Sequence, residues 1–223
     1  MLLQPAVNVR ELSSSARRMT WRAVVFGWVL VGLLFPAGAC LAGGIDHVVN
    51  FDNSGIWNRN LQKGVEYTLI GGEIVGALWL GGEDPLGKTF WQSIDSSALG
   101  GITSEAMKHV FTRARPSQNP DPNKWFQGSG HYSFPSGEVT AVTAIVTPFM
   151  FEYGRDYPAV YALGLLPAYD AIARVKSQAH WQTDVLASIA LGTLTGYMAH
   201  SRDNPFILGV LPKGFSVGIH KQF

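Results

Sequence analysis

The sequence has one cysteine, Cys40, so it can form no internal disulfide and no Cys-rich zinc site. It is also poor in charge. Only 15% of its residues are charged, against roughly 25% in ordinary globular chains. Neither sign dominates: 17 Lys and Arg face 16 Asp and Glu, a formal net of +1. That gives no case for a nucleic-acid or other polyanion partner. Low charge together with 47% apolar residues rules out a disordered chain. Beyond residue 42, long apolar runs are missing as well. The apolar stretches reach about 13 to 16 residues, whereas a spanning helix needs roughly 20. Glu73, Pro148 and Asp170 interrupt them. They read as core helices of a soluble bundle, or of a bundle resting on a membrane surface. With 223 residues, one domain is the default.

Residues 1–42 have a different plan. Arg10, Arg17, Arg18 and Arg22 form a basic front, and Ala23 to Leu34 is an apolar run. Pro36 and Gly38 break that run, and small residues lead to Ala42. This is the layout of a secretory signal peptide, with a retained membrane anchor as the alternative. The expected product is exported, periplasmic or membrane-associated. The leader holds four of the basic residues and one acidic residue, Glu11, so residues 43–223 carry a slight acidic excess.

Residues 43–223 read as one all-α domain, a bundle of about five to six core helices closed by a C-terminal β-hairpin. Helical patterns cover Leu61 to Leu80, Lys88 to Arg115, Glu138 to Tyr153, Tyr157 to Val175 and Trp181 to His200. Gly71, Gly72 and Gly76 suit a close helix approach. Gly100-Gly101 is a potential break, and Pro167 a bend. Pro116 to Pro135 is a Pro- and Gly-rich loop. After Asn204 the pattern alternates: Phe206, Leu208 and Val210, a turn at Pro212-Lys213-Gly214, then Phe215, Val217 and Ile219.

Three short segments carry chemistry. In the first, Lys108 and Arg115 stand seven apart, two helical turns, ahead of Pro116. Two cations on one face clamp a phosphate, or they are merely solvated helix charges. In the second, Pro135-Ser136-Gly137-Glu138 opens an apolar helix. Its free backbone N–H groups and the Ser136 hydroxyl make an anion site, or Ser136 is a plain N-cap. In the third, His180 and Asp184 sit at i and i+4, with Arg174 upstream. A carboxylate in that place fixes the imidazole tautomer and frees the other nitrogen for attack. The same pair also occurs as a surface ion pair. His47, His109, His131, His200 and His220 are scattered, so no metal site is expected.

Together, in order and spacing, these segments resemble the type 2 phosphatidic acid phosphatase superfamily, which includes the class A bacterial acid phosphatases. That family carries Lys-x6-Arg-Pro, then Pro-Ser-Gly-His, then Ser-Arg-x5-His-x3-Asp. Lys108, Arg115 and Pro116 complete the first motif. Arg174, His180 and Asp184 complete the third, with Ala173 in place of its Ser. The resemblance implies a metal-independent phosphatase with no cofactor. His180 would be the nucleophile of a phosphohistidine intermediate, and Asp184 would orient it. Lys108, Arg115, Arg174, Ser136 and Gly137 would bind the phosphate.

The sequence departs from the family at position 138, where Glu138 replaces the histidine that protonates the leaving oxygen. Glu138 can act as that acid only if its surroundings keep it protonated; His131 in the preceding loop is the alternative acid. The implied substrate is a lipid phosphate, a prenyl pyrophosphate, a lipid A phosphate or a small periplasmic phosphate ester. Trp125, Phe126, Tyr132 and Phe134 either line an acyl entrance or belong to the core. Two further readings remain open. One is a vanadium-dependent haloperoxidase, in which the residue matching His180 ligates vanadate. The other is an inactive phosphate-binding homologue.

Overall fold

The computed structural model describes residues 44–202 and 205. A short 3-10 turn at Gly55–Trp57 precedes α1 (Arg59–Leu80) and α2 (Pro85–Phe111). After a long loop come α3 (Gly137–Tyr153), a 3-10 segment (Pro158–Gly164), α4 (Leu165–Lys176) and α5 (Gln182–His200). The described residues are thus all-helical, with five α-helices and no strand. The expected leader at residues 1–42 and the expected hairpin after Asn204 lie outside the described residues.

Local chemistry sets two of the starts. The Asn58 side chain caps α1 by accepting from the Asn60 N–H. The Asp84 carboxylate caps α2, accepting from the N–H groups of Leu86 and Gly87, and Pro85 takes the first helical position.

Helix α3 is the centre of the bundle and packs against all four others. Nearly every residue from Val139 to Pro148 is buried, as fits a helix that is apolar all round. Its threonines satisfy themselves. The hydroxyls of Thr140, Thr143 and Thr147 donate to the carbonyls of Ser136, Val139 and Thr143, one turn back. Helix α5 comes very close to α3 because Gly192 and Gly196 face it. A Cβ on Gly192 would stand 2.6 Å from the Thr140 carbonyl oxygen. Of the three glycines expected to admit a neighbour, only Gly76 does so, against the Phe90 ring; Gly71 and Gly72 face open space.

Two sequence expectations about breaks change. Helix α2 runs unbroken through Gly100-Gly101, because Gly100 is pressed between Thr140 and Thr195. Residues 157–175 form a 3-10 segment followed by α4, and Pro167 lies in the first turn of α4. There its missing N–H costs no bond, so it helps start a helix instead of bending one. Glu73 interrupts the apolar pattern of α1 for a structural reason: it is buried and accepts from the hydroxyls of Ser93 and Ser97 on α2. Among the described residues, no helix is long and apolar enough to cross a membrane.

Candidate active site

Helix α5 begins at Gln182, so His180 precedes the helix and does not share a face with Asp184. Asp184 instead belongs to the cap, where its Oδ2 accepts from the Trp181 N–H at 2.8 Å. His180 Nδ1 is 4.0 Å from Asp184 Oδ2, too long for a hydrogen bond. Nδ1 lies 2.6 Å from the Ser133 carbonyl oxygen. A carbonyl only accepts, so Nδ1 carries the proton and Nε2 keeps its lone pair. Direct orientation by Asp184 is therefore replaced by orientation from Ser133. Asp184 acts one bond further back, with its Oδ2 accepting from the Ser133 hydroxyl at 2.5 Å.

His180 is 4% exposed. Burial holds its imidazole well below the ordinary value, and the charges of Arg174, Arg115 and Lys108 push the same way. The Ser133 carbonyl opposes them. The ring is thus neutral at neutral pH. All three cations singled out in the sequence act on this one histidine.

They reach it differently from the two-turn helical face read from the spacing. Helix α2 ends at Phe111, and Thr112 takes a left-handed conformation with φ of 36°. Its N–H closes the helix on the Lys108 carbonyl. Lys108 is therefore on the last turn, whereas Arg115 is in the loop. The loop is tied down: the Ser117 N–H donates to Gln178 O at 3.1 Å, and Trp181 Nε1–H to Ala114 O at 2.8 Å. These bonds join the Arg115 segment to the His180 segment. Lys108 Nζ lies beside the start of α3, 2.9 Å from where a Cβ on Gly137 would stand. The glycine leaves the room that the ammonium occupies. Arg174 is buried on α4, and its Nε makes no hydrogen bond.

Ser136 stands at the N-cap of α3 but does not cap it. Its hydroxyl is buried without a partner, while its N–H donates to Ser188 Oγ at 2.8 Å. That hydroxyl and the first N–H groups of α3 are together suited to an anion.

Glu138, one residue further, is held bidentately by Arg59 of α1. Arg174 Nε stands 3.7 Å from Oε2, the oxygen that Arg59 Nη1 also holds. Burial pushes the carboxyl up, but Arg59, Arg174 and Lys108 outweigh it, and the net shift is downward. Glu138 is an ion-paired carboxylate here, and an acid role at this position needs a proton from elsewhere. His131 Nδ1 is buried without a hydrogen-bond partner.

Sequence reasoning missed Arg113. Its side chain is fully buried, 2.5 Å from Asp184 and 2.6 Å from Asp46. It also donates to Pro122 O and Thr183 Oγ1. Trp125 covers the guanidinium at 4.3 Å and Trp181 at 5.4 Å. Asp46 in turn accepts from the N–H and hydroxyl of Thr183 at the start of α5. Burial pushes the Asp184 carboxyl up, to about 6, against Arg113 and the Ser133 and Trp181 donors.

The loop aromatics divide. Phe134 is buried and packs edge-on to Phe111 and Trp125. Phe126 is exposed. Tyr132 lies against His109.

This geometry agrees with comparison to known proteins. The PAP2 superfamily profile matches residues 90–205, over half the chain, and the chain belongs to that superfamily. A curated relative, the lipid A 1-phosphatase of Porphyromonas gingivalis, is 31% identical over 118 residues. That match covers 51% of this chain and 24% of the relative, so the chain spans about a quarter of the relative's length. A solved structure, the transmembrane PAP2 type phosphatidylglycerolphosphate phosphatase from Bacillus subtilis, shares the fold with a TM-score of 0.50. It is 17% identical, and the match covers 79% of this chain and 91% of that one.

Proposed function

We propose that the protein is a metal-independent phosphatase that hydrolyses a lipid phosphate through a phosphohistidine at His180. The observation that carries this reading is the convergence of Lys108, Arg115 and Arg174 on a buried, neutral histidine whose Nδ1 is pinned by a backbone carbonyl. Phosphoryl transfer is mostly positioning and charge stabilisation, and these groups supply both.

Nε2 attacks phosphorus, and the bond to the leaving oxygen breaks with its electron pair on that oxygen. The three cations take the equatorial phosphoryl oxygens, with the Ser136 hydroxyl and the N–H groups at the start of α3. Water then attacks the phosphohistidine, releases phosphate and restores the imidazole. Arg113 and Asp184 hold the Ser133 and Trp181 segments in place and touch no substrate. The lipid part of the reading is supported by the name of the Porphyromonas gingivalis relative.

The test is phosphate release from lipid A, phosphatidic acid, a prenyl pyrophosphate and a small phosphate ester. Wild type is expected to release phosphate from a lipid substrate. His180→Ala should be slower by at least about a thousandfold. Activity that survives in His180→Ala contradicts the mechanism, and release from the small ester alone contradicts the lipid substrate.

A further inference from the structure

Glu138 leaves the site without an obvious proton donor, and a second buried carboxyl lies close by. Asp170 is on α4, one turn before Arg174. It is 4% exposed, and its Oδ2 has no hydrogen-bond partner. The helices around it bring in more charge. From α1, Arg59, Gln62 and Glu66 share one face. The Gln62 carbonyl oxygen accepts from Arg59 at 3.3 Å and from Arg174 at 3.4 Å. From α3 comes Glu138, joined to both arginines. The charged groups acting on Asp170 are thus Glu66 and Arg59 from α1, Glu138 from α3, and Arg174 from its own helix.

Three carboxyls share two guanidiniums in this cluster. Both arginines engage Glu138, and Asp170 has no ion pair among the described residues. With one surplus carboxyl, the cluster favours a neutral form at its most buried member, Asp170. Burial first, and then the Glu138 charge, raises the Asp170 carboxyl to about 7, against Arg174. Burial and Glu138 also raise Glu66.

We propose that Asp170 is the proton store of this site, passing its proton to Glu138, which delivers it to the leaving oxygen of the substrate. The proposal rests on the phosphatase reading above. Bound phosphate draws on Arg174, the cation that Glu138 now shares. With that hold weakened, burial favours the neutral form of Glu138, and Asp170, one turn from Arg174 on α4, is the carboxyl that supplies the proton. In the first half-reaction Nε2–P forms and P–O breaks. The proton leaves the Asp170 carboxyl for Glu138 and goes on to the departing oxygen, giving the free alcohol and an Asp170 carboxylate. In the second half-reaction water attacks phosphorus and Nε2–P breaks. The proton released by that water returns through Glu138 to Asp170, so the cycle closes.

The test compares an alkyl phosphate, a poor leaving group, with p-nitrophenyl phosphate, a good one. Each is assayed against pH in wild type, Asp170→Asn, Asp170→Glu, Glu138→Gln, His131→Ala and His180→Ala. Asp170→Asn should lose about a hundredfold in kcat/KM on the alkyl phosphate and less than about threefold on the nitrophenyl ester. Asp170→Glu should recover part of that loss. Wild type should show an alkaline limb on the alkyl phosphate that is absent on the nitrophenyl ester and absent in Asp170→Asn. Glu138→Gln should repeat the selective loss, which keeps the test decisive if Asp170→Asn does not fold.

Equal losses on both substrates, an unchanged pH profile, or a selective loss in His131→Ala alone would overturn the relay. If wild type is active, His180→Ala is inactive and Asp170→Asn shows no selectivity, only the relay fails. If wild type and His180→Ala are alike, the phosphatase reading fails and the relay with it.

Discussion

Arg113 and Asp184 lie 2.5 Å apart, and neither side chain meets solvent. Asp184 is the carboxylate of the third motif, yet its direct partners are Arg113, the Ser133 hydroxyl and the Trp181 N–H, not the histidine four residues before it. Through Ser133 it fixes the carbonyl that holds His180 Nδ1. Through Arg113 it is tied to Asp46, ahead of the first helix.

Arg113 is therefore the most sensitive structural residue of the site. Arg113→Ala would leave two buried carboxylates, Asp46 and Asp184, without their cation. A broken buried pair costs about 3–5 kcal/mol, a large share of a domain's stability of roughly 5–15 kcal/mol. Arg113→Lys keeps the charge but cannot reach both carboxylates with a planar fork. Urea denaturation should rank wild type above Arg113→Lys and that above Arg113→Ala. Equal midpoints would show that the pair carries no stability.

The tautomer of His180 should survive loss of the Asp184 charge. In Asp184→Asn, the Ser133 carbonyl still accepts from Nδ1, so nitrogen NMR of the imidazole should report the Nδ1–H form in both proteins. A switch to the Nε2–H form in the variant would mean that the carboxylate sets the tautomer after all.

Gly137 tests the placement of Lys108. Gly137→Ala puts a methyl 2.9 Å from Lys108 Nζ, and the flexible end of the lysine must move. Displacement of about 1 Å at a catalytic group costs up to about a hundredfold in rate. Activity should fall by about ten- to a hundredfold while the melting temperature stays close to wild type. Unchanged kcat/KM would remove Lys108 from the phosphate site.

Much of this was legible from residue order. The long Pro116 to Pro135 loop and the triple of motifs rest on local chemistry, whereas the Asp84-Pro85 start of α2 lies three residues before Lys88, where its helical pattern begins in the sequence. Two helix ends near the site did not read correctly. Thr112 terminates α2 in a left-handed conformation, uncommon for a β-branched residue, and nothing in the run from Lys108 to Arg115 marks it. The Asp184 carboxylate caps α5 by accepting from the Trp181 N–H, which places His180 outside the helix that its spacing suggested. Arg113 and Arg59 were invisible because their partners are distant in sequence. Asp46 is 67 positions from Arg113, and Glu138 is 79 from Arg59.

Asp170 also makes a prediction about stability. Its carboxyl is raised from 3.8 in the unfolded chain to about 7 in the fold. Between those values the native state holds a proton that the unfolded chain has lost, so this group makes stability fall as pH rises through the window. Asp170→Asn removes that term. The variant's stability relative to wild type should rise by a few kcal/mol from about pH 4 to about pH 7, then level off. Denaturation midpoints across that range check the sign. A difference that is flat with pH would mean that Asp170 titrates normally.

The central claim is that His180 carries the phosphoryl group. Wild-type protein mixed with a labelled lipid phosphate and quenched in base within milliseconds should yield a phosphopeptide containing His180, modified at Nε2 and labile to acid. The same quench of His180→Ala should yield none. A wild-type protein that turns over substrate while no label ever appears on His180, or with the label on another residue, would contradict the account.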